Sequence, residues 1–96
     1  DPNGLQVVDV RRASEWQGGH VEQARHKPLD HLAAHLDDLD KTKLTAVYCK
    51  GGYRSSIASS LLQRAGFAQV MNVTGGFDAW LACRLPYVTD EAAVAG

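Results

Sequence analysis

Three short apolar runs recur along the chain, and each predicts a β-strand. They cover residues 5–10, 44–49 and 70–73, and β-branched side chains are prominent in them. The runs are nearly continuous rather than alternating with polar residues, which is typical of strands that are buried on both faces of a parallel sheet. We therefore expect a parallel sheet built from these strands.

The segments between these runs have the spacing of helices. Apolar side chains recur every three or four residues over about 29 to 38. A second apolar face follows Ser55 and ends at Gly66, a residue type that commonly terminates a helix. A last short helix is expected from Phe77 to Cys83. Strands that alternate with helices in so short a chain predict an α/β domain with right-handed crossovers.

Composition favours a soluble globular domain and narrows its partners. Of the 96 residues, 45% are hydrophobic and 22% are charged, which suits a chain with one core. With 10 basic and 11 acidic side chains the formal charge is -1, which argues against nucleic acid and membrane surfaces as partners. No apolar run approaches the ~20 residues that span a bilayer, and no signal peptide opens the chain.

The domain boundaries follow from the two ends of the chain. We expect one domain over residues 1–88 and a flexible, alanine-rich tail over residues 89–96. The chain starts at Asp1 without an initiator methionine and enters a strand almost at once, which favours a module taken from a longer protein. Two cysteines, Cys49 and Cys83, are too few for a disulfide-stapled secreted scaffold, so a cytoplasmic location is expected.

The turn after the second run carries reactive chemistry. Cys49 ends that strand, Gly51 and Gly52 follow, and a helix begins shortly afterwards. Two glycines at a strand-to-helix turn let successive backbone N–H groups point inward as an anion-binding nest, and the helix adds the positive end of its dipole. Lys50 and Arg54 add cationic charge. All these features favour the thiolate, which is the nucleophilic form of cysteine.

Ligands of open parallel sheets gather where strands end and helices begin, and that rule selects two places in this sequence. One is the end of the first run, where Arg11 either meets an anionic ligand or pairs with Asp9 in a structural role. The other is the turn after Cys49. That cysteine is either a nucleophile or a small buried apolar residue, and the glycines and cations behind it favour the nucleophile.

The loop from Cys49 to Ser56, with the sequence CKGGYRSS, resembles the active-site loop of rhodanese-type sulfurtransferases. The resemblance extends in order over nearly all of residues 5–86. Further matching segments are Asp9-Val10-Arg11, Glu15-Trp16, Gly19-His20-Val21, Ala24, Pro28, Leu62-Gln63-Arg64-Ala65-Gly66-Phe67 and Gly75-Gly76-Phe77-Asp78-Ala79-Trp80. Gln23 departs from the glycine usual in the family, and the helix that normally precedes the first strand is absent. The sequences of the Cys49 loop and of the motif that begins at Gly75 are most similar to those of rhodanese modules fused to metallo-β-lactamase-fold persulfide dioxygenases.

This resemblance implies a rhodanese-like fold, a small parallel sheet with helices on both faces, and sulfur transfer without a metal or organic cofactor. The thiolate of Cys49 would take the outer sulfur of a small anionic donor, thiosulfate or glutathione persulfide, and pass it to a thiol or to cyanide. The loop residues that would bind the donor and the persulfide are Lys50, Gly51, Gly52, Tyr53 and Arg54. Arg11 is a secondary candidate for contact with the donor.

Two other functions stay open at this point. Related folds include phosphatases with five residues between cysteine and arginine, whereas four separate Cys49 from Arg54, which favours a single sulfur atom over a phosphoryl group. The second is a persulfide relay or regulatory module that serves a fused partner, such as a metallo-β-lactamase-fold domain. Tyr53 either shapes the pocket mouth or faces solvent, and Cys83 is favoured as an ordinary helix residue over a resolving cysteine.

Overall fold

The computed structural model describes residues 4–89, and its framework is a sheet of four parallel strands in the order β2-β1-β3-β4. Most of the tail expected over residues 89–96 lies outside the described residues. The elements in chain order are β1 (Leu5–Asp9), α1 (Ala13–Gly18), β2 (Arg25–His26), a 3₁₀-helix (Leu29–Asp38), β3 (Leu44–Tyr48), α2 (Tyr53–Arg64), β4 (Gln69–Asn72) and α3 (Gly76–Ala82).

Helices cover both faces of this sheet, as expected. On one face, α2 and the 3₁₀-helix bury a core that includes Val8, Val47 and Leu62, each fully inaccessible to solvent. On the other face, Tyr48 and Phe77 form a smaller cluster between the sheet and α3. No helix within residues 4–89 is both long and apolar enough to cross a membrane. Because β1 and β3 are neighbouring parallel strands, their carboxyl ends lie side by side.

The helix expected over residues 29–38 is present as a 3₁₀-helix with a kink at His35, whose φ is -125° and ψ is 28°. In 3₁₀ geometry, side chains three residues apart lie on one line. The inward apolar side chains are separated by three, four and three residues, and the single four-residue step spans the kink. Those side chains are Leu29, Leu32, Leu36 and Leu39.

Two elements were not expected from the hydrophobic pattern. The helix α1 buries no residue fully, and its first turn is closed by the Glu15 carboxylate, which accepts a hydrogen bond of 3.0 Å from the backbone N–H of Arg12. The strand β2 has two residues, which pair with Val8 and Asp9 of β1. The strand β4, expected to be buried, is an edge strand whose Met71 is 46% exposed.

Candidate active site

Cys49 lies directly after the carboxyl end of β3, where the chain turns into α2. The residue is 1% exposed and packs against Val10 and Val47 on the face of the sheet that α2 covers. Residues 50–52 complete the turn, and the 12 residues of α2 follow. The sulfur therefore sits at a helix N-terminus, where the helix dipole favours negative charge.

Backbone N–H groups converge on this sulfur. The N–H of Gly52 donates to Sγ over 3.1 Å, and the backbone N–H groups of Gly51 and Ser55 also act to lower the pKa of Cys49. Gly52 holds its place with a φ of 109°, a left-handed conformation that residues with a side chain rarely adopt. Burial is the largest single influence and raises the pKa of Cys49. The hydrogen bonds from the Ser55 side chain and from these amides outweigh burial, so the pKa is lowered overall.

The hydroxyl of Ser55 links this sulfur to the end of β4. Ser55 is fully buried, and its Oγ lies 3.5 Å from Sγ of Cys49. The same hydroxyl donates to Oδ1 of Asn72 over 2.5 Å and is 3.1 Å from the carbonyl of Gly52. Since a hydroxyl carries one proton, the sulfur competes with two oxygens for it. Ionisation of the thiol strengthens the sulfur as an acceptor in that competition.

The start of α3 supports the loop from outside. The N–H of Phe77 donates to the carbonyl of Cys49 over 2.8 Å, and the N–H of Asp78 donates to the carbonyl of Lys50 over 3.0 Å. Gly76 permits this approach, because a Cβ there would overlap the Cys49 carbonyl oxygen and lie 2.7 Å from that of Lys50. Its φ of 54° also favours glycine. The loop is therefore held in place by main-chain contacts.

Two of the expected loop residues point away from the sulfur. The ammonium of Lys50 forms an ion pair of 3.0 Å with Asp78, and its side chain is 65% exposed. Tyr53 is 78% exposed in the first turn of α2, which corresponds to the solvent-facing alternative. The largest contributions that lower the pKa of Cys49 are hydrogen bonds from Ser55 and the loop backbone rather than the charge of Lys50.

Arg54 is engaged by an acidic partner from α1. Its Nη1 and Nη2 donate to Oε1 and Oε2 of Glu15 over 2.7 and 2.9 Å. This bond is the main reason that the pKa of Glu15 falls to about 2, and it also raises the pKa of Arg54. The charge of Cys49 contributes further to the raised pKa of Arg54, so the ion pair lies within electrostatic reach of the sulfur.

Arg11 has a structural position rather than a place beside Cys49. It is 4% exposed, and its guanidinium donates to both carboxylate oxygens of Asp9 and, over 2.6 Å, to the carbonyl of Gly19. The same group stacks on Phe77, with 4.4 Å to the ring centroid. That aromatic ring belongs to the face of the sheet opposite Cys49. The structure thus favours the pairing with Asp9 that the sequence had left open.

The two histidines that lie four residues apart in the 3₁₀-helix lie close to each other, as ligands of one metal ion would. His31 and His35 meet edge to face with ring centroids 6.5 Å apart. No cluster of three or more His, Cys, Asp or Glu side chains within residues 4–89 could hold a metal ion. Cys83, expected to be an ordinary helix residue, is a free and exposed cysteine at the end of α3.

Sequence reasoning gave no role to three residues that the fold brings to the site, Glu15, Asn72 and Gly76. Glu15 is 39 residues from Arg54, and a contact at that separation has no local signature. A polar Asn72 within an otherwise apolar run was the available signal for its inward role. The doubled glycine at residues 75–76 was the signal for a close backbone approach.

The arrangement is suited to nucleophilic chemistry at sulfur. A cysteine with a lowered pKa at a helix N-terminus has the features of a reactive thiolate rather than of an inert core residue. Donors that point at Sγ itself stabilise charge on sulfur. They fit an anion that is covalently attached to Cys49.

Comparisons with known proteins agree with this chemistry. A family model described as "Rhodanese-like domain" matches residues 1–83. The thiosulfate sulfurtransferase GlpE of Pseudomonas putida (strain KT2440) is 35% identical over 79 residues, which cover 82% of this chain and 72% of that protein. The protein YqhL of Bacillus subtilis (strain 168) is 35% identical over 75 residues, which cover 78% of this chain and 60% of YqhL.

A solved structure shows the same architecture. The crystal structure of the Alr3790 protein from Anabaena matches with a TM-score of 0.86 and 30% sequence identity, over 96% of this chain and 74% of that one. The sequence and structure comparisons thus agree on the same fold over almost the whole chain. Sulfur transfer is the chemistry that these similarities support in general terms, and the chain belongs to the rhodanese-like domain family.

Proposed function

We propose that the chain is a thiosulfate sulfurtransferase that carries a sulfane sulfur on Cys49. The observation that supports this most directly is the N–H of Gly52, which donates to Sγ over 3.1 Å at the N-terminus of α2, where the backbone of Gly51 and Ser55 also lowers the pKa of Cys49. Donors in that position stabilise the thiolate before reaction and a persulfide anion after it. The similarity to GlpE, a protein named for this activity, supports thiosulfate as a donor.

The reaction is a double displacement at sulfur. The thiolate of Cys49 attacks the outer sulfur of thiosulfate, a new S–S bond forms, and the S–S bond of the donor breaks with its electron pair leaving on sulfite. An acceptor thiolate or cyanide then attacks the outer sulfur of the persulfide and restores the Cys49 thiolate. Charge and electrons balance in each half, so no external oxidant or reductant is needed. Ping-pong kinetics follow from the covalent intermediate.

The size of the loop supports sulfur rather than phosphorus as the group transferred. Four residues separate Cys49 from Arg54, and Gly52 donates directly to Sγ. A phosphoryl group needs donors around three oxygens that lie beyond the sulfur. Amides already engaged with the sulfur itself suit one additional atom better.

The test is to load the protein with thiosulfate and to measure both products of the first half-reaction. We expect intact-mass spectrometry to show one added sulfur on the wild type, with an equal amount of sulfite released. Cys49→Ser should lose both signals, by at least about a thousandfold in rate. Cys83→Ser is the matched control and should retain both, because Cys83 is exposed at the far end of α3. Loading that depends on Cys83 instead would contradict the proposal.

A persulfide relay within a larger protein is the second candidate. Its specific support is the similarity to YrkF of Bacillus subtilis (strain 168), which is named "Putative sulfur carrier protein" and is 29% identical over 76 residues that cover 41% of it. A relay would stay unloaded with thiosulfate and acquire one sulfur on Cys49 from glutathione persulfide. Hydrolysis of an aryl phosphate by the wild type, lost in Cys49→Ser, would reject both candidates and restore the phosphatase.

A further inference from the structure

Arg54 is one of the two cations that an anionic donor would be expected to meet at the Cys49 loop, and a carboxylate already occupies it. Both terminal nitrogens of Arg54 donate to the two oxygens of Glu15, at 2.7 and 2.9 Å. This two-pronged geometry is the one that arginine uses to bind small oxyanions. Glu15 therefore sits where a donor anion would otherwise bind.

The Glu15 carboxylate is fixed from two sides. Besides Arg54, the backbone N–H of Arg12 donates to Oε1 over 3.0 Å. The Glu15 and Arg54 side chains are 25% and 29% exposed, which is more protected than an ordinary surface ion pair. Arg54 holds the pKa of Glu15 at about 2, so Glu15 keeps its negative charge at neutral pH.

The other loop cation is neutralised in a similar way. Lys50 is paired with Asp78 at 3.0 Å. Two cations and two carboxylates therefore cancel around the loop, and the uncharged amides on Sγ remain as the main source of positive potential. A site of this kind attracts a dianion little better than a monoanion.

We propose that Glu15 is a specificity-determining residue that sets the donor charge the site prefers. By occupying the guanidinium of Arg54, it lowers the attraction of the site for dianionic sulfur donors relative to monoanionic ones. Glu15 acts through Arg54 and is a positioning residue rather than a catalytic one. This inference rests on the proposed sulfur transfer.

The two donors that test it differ by one charge and share one reaction. Thiosulfate is a dianion and releases sulfite, whereas methanethiosulfonate is a monoanion and releases methanesulfinate. In both, the thiolate of Cys49 forms a bond to the outer sulfur and the leaving group takes the electron pair of the broken S–S bond. The measured quantity is the ratio of kcat/KM for thiosulfate to kcat/KM for methanethiosulfonate. That ratio does not depend on the fraction of protein that is folded.

Glu15→Gln should raise this ratio about threefold, because one negative charge near the donor is removed. Glu15→Asp keeps the charge and should stay within about twofold of the wild type. Asp38→Asn makes the same change in net charge at an ion pair with Lys27, away from the loop, and should leave the ratio unchanged. An unchanged or lowered ratio in Glu15→Gln overturns the inference.

A measurement on the wild type covers the case in which Glu15→Gln fails to fold. With its cations neutralised, the site should show a ratio that falls less than about twofold between about 20 and about 200 mM NaCl. A steeper fall would mean that Arg54 is electrostatically available to the donor, and would reject the role of Glu15. If neither donor places a sulfur on Cys49 of the wild type, the proposed function fails first and the inference fails with it.

Discussion

The carboxyl ends of β1 and β3 lie next to each other and serve different purposes. At the end of β1, the Arg11 guanidinium is buried against Asp9, Gly19 and an aromatic ring, so its hydrogen bonds are used inside the protein. At the end of β3, the backbone N–H of Gly52 donates to the side chain of Cys49. Position at a strand end is common to both. The difference is that hydrogen bonds within the protein occupy the Arg11 guanidinium, whereas the donor at the end of β3 is directed at a reactive side chain.

The largest expected effect is a loss of unfolding free energy, and it should arise at the end of β1 without a change at the end of β3. Arg11→Met leaves the fully buried carboxylate of Asp9 without its partner, which should cost about 3–5 kcal/mol of unfolding free energy in urea. The alkylation rate of Cys49 in the folded fraction should not change, because the Arg11 guanidinium stacks on Tyr48 and Phe77, which belong to the face of the sheet opposite Cys49. The double variant Asp9→Asn/Arg11→Met should recover part of the loss, since no buried charge is left unpaired.

Lys50→Met is the matched control for that measurement, because it removes a cation whose ion pair is exposed to solvent. Its unfolding free energy should stay close to that of the wild type. A slower alkylation of Cys49 in Arg11→Met would show that the two strand ends are coupled and would remove the distinction between them.

The next effect in size concerns the backbone contact behind Cys49. Gly76→Ala places a Cβ against the carbonyls of Cys49 and Lys50, so the loop has to shift and kcat/KM should fall about a hundredfold. Steady-state sulfite release measures the loss, which corresponds to about 2.7 kcal/mol. Gly51→Ala is the control, because a Cβ there meets nothing within 4 Å and the amide is retained. Equal losses in the two variants would contradict a specific role for the contact at Gly76.

The smallest of the three effects concerns the hydrogen bond between the Ser55 hydroxyl and the sulfur of Cys49 at the end of β3. Ser55→Ala removes a hydrogen bond that lowers the pKa of Cys49, so the pKa should rise and less thiolate should be present at neutral pH. Alkylation by iodoacetamide should slow about threefold to tenfold, and its pH profile should move to higher pH. The measurement needs a Cys83→Ser background, since Cys83 is free and exposed.

Ser56→Ala provides the comparison for this variant within the same turn of α2. Its hydroxyl is exposed and donates to the carbonyl of Tyr53 rather than to the sulfur. The alkylation profile of Ser56→Ala should therefore match that of the wild type. Overlapping profiles for the Ser55 and Ser56 variants would mean that the amides alone hold the thiolate.

Much of the framework could be predicted because it depends on local hydrophobic patterns. The three apolar runs gave β1, β3 and β4 to within about one residue at each end, and the glycines behind Cys49 indicated the loop. Burial of β4 was overestimated because the sequence does not say which strand lies at the edge. An edge strand can carry the same residue types as a central strand, although one of its sides has no neighbouring strand.

The rest depends on contacts between distant parts of the chain. The helix α1 has little apolar surface and is fixed by the Glu15–Arg54 ion pair, which joins residues 39 positions apart. The strand β2 is two residues long, and its pairing depends on where β1 already lies. Loop cations were expected to stabilise the sulfur, but their carboxylate partners come from other elements, so their orientation was not visible in the sequence.

The hydrogen-bond donors around Sγ have a consequence for how the protein responds to acidity. Peptide N–H groups and a serine hydroxyl neither gain nor lose a proton across the physiological range, unlike the imidazole that many cysteine enzymes place beside the nucleophile. The sulfur is then the only member of this hydrogen-bonded group that titrates there. Turnover should follow a single sigmoidal rise towards alkaline conditions rather than a bell, because this group contains no protonated partner whose proton would be lost on the alkaline side.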